Sequence, residues 1–110
     1  MTVLIIRAHK RFGVCRKVTL RGRDNRVAHG LLIEMSQEGC RISNVSSEAF
    51  AFEEQVTVEV DGWEPFCGRV RWHHGGIVGL RLTEALHRGE LAQFIDFCRA
   101  VPGMIKACQA

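Results

Sequence analysis

The chain has 110 residues, 46% of them hydrophobic and 25% charged, with a formal net charge of +3. That is one domain's length, with the composition of a globular protein, and it excludes a collagen-like, mucin-like or wholly disordered chain. The charge is uneven: residues 1–26 hold eight of the fifteen basic residues and a single acid, Asp24, so a local +7 stands against −4 for the rest of the chain.

In chain order, Met1–Ile6 is apolar but too short for a signal peptide, and its charges follow the apolar stretch instead of preceding it. Arg7-Ala8-His9-Lys10-Arg11 places two arginines four apart before the first strand. Arg16–Arg21 alternates Val18 and Leu20 with polar neighbours, the period of a half-buried strand. Gly22-Arg23-Asp24-Asn25 predicts a hairpin turn into a mostly apolar strand, Val27–Met35. Ser36-Gln37-Glu38-Gly39 is a tight turn, and Cys40–Ser43 alternates again. A connection over Asn44–Phe52 leads to Val56, Val58 and Val60 on one strand face, closed by the Asp61-Gly62 turn.

The next strand puts Phe66, Gly68, Val70 and Trp72 on one face and Cys67, Arg69, Arg71 and His73 on the other. His74-Gly75-Gly76 turns the chain into Val78, Leu80 and Leu82. From Thr83 the period becomes helical, with Leu91, Phe94, Ile95 and Cys98 as its stripe and Pro102-Gly103 as its stop. These elements predict an all-β fold, a small six-stranded antiparallel barrel with a C-terminal α-helix. The predicted layout is a single domain over 1–110: an arginine loop at 1–12, the barrel at 14–82, the helix at 84–101 and a tail at 102–110. Val56, Val58, Val60, Val70, Trp72 and Leu80 are the predicted core, with Trp72 read as a core or wall residue rather than a stacking platform.

The five cysteines have spacings that fit no zinc or redox pattern. They read as small, partly buried hydrophobes of a cytoplasmic protein. His73 and His74 are neighbours on a strand and point to opposite faces, so they read as part of a hairpin and not as a metal site. No apolar run approaches the roughly 18 residues of a membrane span. There is no P-loop, GxGxxG or nucleophile elbow, so the reading is non-catalytic, with no cofactor and no metal.

Two motifs remain: Arg7-x-x-x-Arg11, and Glu34-x-Ser36-x-x-Gly39 where two strands meet. In their order and spacing they resemble the PilZ family, bacterial receptor domains for cyclic di-GMP. Gly68-Arg69-Val70-Arg71-Trp72 and Gly79-Leu80-Arg81-Leu82 are similar to that family's later strands, so the resemblance covers roughly residues 7–99. It implies a cyclic-di-GMP site at Arg7, Arg11, Glu34, Ser36 and Gly39. In that site Arg7 and Arg11 take phosphate, guanine O6 and N7 or a base face. Ser36 offers its hydroxyl, the carboxylate accepts from the guanine N–H edge, and Gly39 lets the base approach the backbone.

The family has Asp or Asn where this chain has Glu34, whose arm is longer by about one C–C bond, roughly 1.5 Å. The function implied is a single-domain receptor that signals through a ligand-ordered N-terminal loop and contact with an as yet unidentified protein effector. The alternative is a PilZ-like adaptor that binds no nucleotide. A basic barrel binding RNA or DNA would explain the N-terminal charge, but with few aromatics and no tyrosine the chain is poorly supplied with stacking residues, so nucleic acid is not the expected partner.

Overall fold

The computed structural model describes residues 10–46 and 49–100. Six strands are followed by one helix: β1 (Phe12–Arg21), β2 (Val27–Met35), β3 (Gly39–Ser43), β4 (Gln55–Val60), β5 (Phe66–His74), β6 (Ile77–Leu82) and α1 (Arg88–Arg99). Every neighbouring pair is antiparallel, and the strands close into a barrel in the order β1-β2-β3-β6-β5-β4. Closure pairs β1 with β4 and leaves no open sheet edge.

Inward positions follow the alternation of the sequence. Val18 and Leu20, Val56, Val58 and Val60, and Leu80 and Leu82 are buried. Helix α1 turns Leu91, Phe94, Ile95 and Cys98 inward, the stripe its periodicity predicts. It starts at Arg88 because residues 83–87 spend their backbone groups elsewhere. The Thr83 N–H donates to Cys67 O at 2.9 Å, and the Leu86 N–H donates to Gln37 O at 2.8 Å. Glu90 then caps the helix by accepting from the His87 N–H at 3.1 Å.

Arg16 anchors the other end of α1. It is only 7% exposed, and its guanidinium lies 4.1 Å from the Phe97 ring centroid. It donates to Phe97 O and Asp61 O, both at 3.2 Å. The Phe97 carbonyl belongs to the last turn of the helix, where intrahelical partners run out. Trp63 and Phe66 meet Phe94 edge-on at 5.2 and 5.9 Å and complete the aromatic seam between helix and barrel.

Three irregularities break the alternation. In the β1–β2 register one extra β1 residue lies between Gly13 and Arg16. In β2–β3 an extra β2 residue lies between Leu32 and Glu34. In β5–β6 an extra β5 residue lies between Val70 and Trp72. Each bulge reverses the face taken by the residues beyond it. The third overturns one expectation. Val70 is buried, but Trp72 is 41% exposed and is not a core residue. After the bulge it shares the outer face with Arg71, while His73 turns inward and its Nε2 meets Val45 O at 3.3 Å.

The cysteine reading holds only in part. Cys40 and Cys98 are buried and Cys67 half-buried, all free thiols, whereas Cys15 is disulfide-bonded. Burial pushes the Cys40 thiol up to about 12 and the Cys98 thiol up to about 11.

Candidate functional site

The turn between β2 and β3 is built by Ser36 and Gly39. The Ser36 N–H donates to Gly39 O at 2.9 Å, and the Gly39 N–H donates to Ser36 Oγ at 3.1 Å. Gly39 is required by close approach: a Cβ there would lie 2.7 Å from Leu80 O on β6. The turn is also fixed from outside, since the Leu82 N–H donates to Glu38 O at 2.7 Å and Gln37 Nε2 donates to Leu86 O at 3.0 Å. Ser36 thus has a structural duty, and its hydroxyl already spans the turn.

Beside this turn a cleft of about 380 Å³ opens on the outer face of the barrel, within the size range of small-molecule sites. Arg11, Glu34, Ser36 and Gly39 line it, so four of the five predicted site residues come together. The fifth, Arg7, lies outside the described residues, as does His9. The rest of the lining includes Arg41 from β3, Arg71 and Trp72 from β5, and Gly79 and Arg81 from β6. Four guanidinium groups against the carboxylates of Glu34 and Glu38 give the cleft a positive balance.

The register brings these residues together. Arg41 is the direct partner of both Glu34 and Gly79, and Trp72 is the β5 partner of Gly79. A Cβ at position 79 would lie 2.2 Å from a Trp72 ring carbon, so the indole occupies space that only glycine leaves. The Arg41 guanidinium sits 5.2 Å from the same ring, and its Nε lies 3.4 Å from Glu34 Oε2. Arg11 Nη1 is 3.6 Å from that same oxygen. Arg71 leans the other way, donating to Glu53 at 3.1 Å.

Arg41, Arg71, Arg81 and Trp72 are the residues that sequence reasoning missed. Their signal was weak because the charge asymmetry points to the N-terminal segment, and three of its eight basic residues are used elsewhere. Arg16 is buried, Arg21 pairs with Glu59 at 2.7 Å, and Arg26 pairs with buried Glu54 at 2.7 Å. Alternation alone also assigns Trp72 to the wrong face.

A second, larger opening of about 990 Å³ lies between the 61–65 loop, the 83–87 connection and α1. Trp63, Phe66, Leu86 and Phe94 give it an apolar floor, and Glu64, Glu84 and Glu90 line it with no arginine or lysine. An anion is therefore better matched to the smaller, arginine-lined cleft.

The His73–His74 pair enters a two-residue hairpin whose Gly75 and Gly76 have φ of 60° and 79°, as the sequence predicts. Among the described residues no group of three His, Cys, Asp or Glu is placed to hold a metal ion. No helix among them is long and apolar enough to cross a membrane.

Comparison with known proteins agrees with the fold. The chain matches the PilZ domain family over residues 5–100. No curated protein matches it. Among solved structures it is similar to the Bacillus subtilis inhibitor of motility MotI/DgrA, with a TM-score of 0.65 at 14% identity, over 86% of this chain and 50% of that one. The chain thus spans half the length of that protein. It is also similar to the PilZ domain of CeSA from a cellulose-synthesizing bacterium, with a TM-score of 0.62 at 15% identity, over 83% of this chain and 96% of that one.

Proposed function

The chain belongs to the PilZ domain family, and on that premise we propose that it is a cyclic-di-GMP receptor whose ligand binds in the arginine-lined cleft. The observation that carries this reading is the convergence of Arg11, Glu34, Ser36 and Gly39 on one opening that also holds Arg41, Arg71, Arg81 and Trp72. Cyclic di-GMP presents two phosphates and two guanines. Guanidinium groups suit the first, through paired charge-assisted hydrogen bonds, and also the O6/N7 edge of the second. The half-exposed Trp72 face suits a stacked base.

In this reading Arg11 and Arg7 hold phosphate and guanine from the N-terminal side. Gly39 lets the ligand approach the β2–β3 turn. Binding orders the N-terminal arginine segment against the barrel, an order switch that alters the surface offered to a protein effector. The protein acts in the cytoplasm as a receptor and adaptor with no chemistry of its own.

One observation favours the adaptor that binds no nucleotide: Glu34 already pairs with both Arg11 and Arg41. Calorimetric titration with cyclic di-GMP separates the two readings. The receptor reading expects saturable binding that Arg11→Ala weakens by about 2–4 kcal/mol, at or above the usual range for hydrogen bonds to charged groups. Arg21→Ala, equally basic but paired with Glu59 on another part of the barrel, should change little. Equal losses from the two variants would reduce the site to a diffuse positive field.

A further inference from the structure

The cleft contains an internal anion. Glu34 Oε2 stands between two guanidinium groups, 3.6 Å from Arg11 Nη1 and 3.4 Å from Arg41 Nε. The β2 bulge between Leu32 and Glu34 makes this possible, because it sets Glu34 directly opposite Arg41 in the β2–β3 register. Opposite charges at directly paired positions attract across the strands. Arg41 in turn sits over Trp72, with 5.2 Å from guanidinium to ring centroid. A continuous chain of contacts therefore runs Arg11–Glu34–Arg41–Trp72 across the cleft, and both the cations and the aromatic face within it are already engaged.

We propose that Glu34 is an autoinhibitory latch: its carboxylate stands in for the ligand's phosphate between Arg11 and Arg41, parks Arg41 over Trp72, and must be displaced for the nucleotide to bind. The proposal rests on the receptor reading above and assigns the regulation of that same site. It also gives the longer side chain a purpose. A carboxylate on the longer arm reaches two arginines, Arg11 just ahead of β1 and Arg41 on β3. As a resident negative charge it opposes an incoming dianion.

The latch is built to open. Arg11, Glu34 and Arg41 side chains are 35%, 27% and 40% exposed, and neither ion pair is at direct hydrogen-bond length. Partly exposed pairs of this kind are weak. Releasing both changes ligand affinity by between about twofold and thirtyfold, at tenfold per 1.4 kcal/mol. That is enough to move a receptor's threshold without abolishing binding.

The latch and a direct ligand contact predict opposite signs for one substitution. Glu34→Gln keeps the shape and removes the charge. If Glu34 is a latch, Glu34→Gln binds cyclic di-GMP about twofold to thirtyfold more tightly than the native protein. If the carboxylate accepts from the guanine edge instead, Glu34→Gln binds more weakly, which overturns the latch and leaves the receptor reading standing.

A second background separates a latch from simple charge removal. In Arg41→Gln, the gain from Glu34→Gln must shrink, because one of the two pairs is already gone. An undiminished gain overturns the latch. A readout without ligand completes the test. The Trp72 indole N–H resonance must move in free Glu34→Gln while that of Trp63, in the other opening, stays in place. An unmoved Trp72 resonance overturns the coupling of Glu34 to Arg41 and the ring. If neither the native protein nor Glu34→Gln binds at about 100 µM, the receptor reading fails and the latch falls with it. Binding by Glu34→Gln alone would be the strongest support for both.

Discussion

Position 79 shows how one missing methyl group can make a surface. The Trp72 indole occupies the space a Cβ at that position would need, 2.2 Å from a ring carbon. Gly79→Ala therefore forces the ring off β6 and should weaken cyclic-di-GMP binding. Trp72→Ala should cost about 1–3 kcal/mol of ligand binding, the usual worth of a base–aromatic stack. It should cost little stability, because the ring is 41% exposed and fills no core volume. Paired calorimetric titrations and thermal melts check both halves. A Trp72→Ala variant that melts early yet binds normally would restore the core reading. Arg16 is the opposite case, a charged residue with a packing role. Arg16→Ala removes the donor to Phe97 O and Asp61 O and the cation on the Phe97 ring. The expected loss is about 2–4 kcal/mol in denaturant melts, from two lost charge-assisted hydrogen bonds and a cavity beneath the helix.

At the scale of elements, alternation predicts strands well where the pairing is regular. Val56, Val58 and Val60 lie inward as period two requires, and the helix stripe Leu91, Phe94, Ile95 and Cys98 is the buried face of α1. The same rule fails at Trp72 because a bulge is set by pairing with another strand, and one strand's sequence carries no record of its partner's register. The motif residues were legible because their spacing is local to two turns. Arg41, Arg71 and Arg81 were not, since only the register of β3, β5 and β6 gathers them at one opening.

The connection into β4 gives a pH prediction. Burial alone would raise the Glu54 carboxyl, but the N–H groups of Ala51 and Arg23 and the Arg26 guanidinium together hold it below its ordinary value. A carboxyl lowered by folding contributes stability that is complete above its unfolded value of about 4.3 and is lost as pH falls through the folded value. Glu54→Gln should therefore be less stable than the native protein at neutral pH. Its disadvantage should shrink as the pH drops below about 4. A disadvantage constant from neutral pH to acid would show that Glu54 contributes nothing through its charge.

At the scale of the molecule, the closed barrel separates two openings of opposite character. One is small, arginine-lined and floored by Trp72 and Gly79. The other is larger, floored by apolar side chains and rimmed by glutamates, with no arginine or lysine. Three of the eight basic residues of the N-terminal segment, Arg16, Arg21 and Arg26, are engaged in contacts of the barrel and helix, so net charge alone does not locate the binding face. The central claim is that cyclic di-GMP occupies the first opening. Amide NMR of the labelled protein titrated with cyclic di-GMP tests it most directly. Binding in the first opening gives saturable shifts concentrated at Arg11, the Glu34–Arg41 turn, Arg71–Trp72 and Gly79–Arg81, with the Trp63, Leu86 and Phe94 signals unmoved. Shifts gathered around Trp63 and Leu86 instead, or none anywhere at about 100 µM ligand, would contradict it.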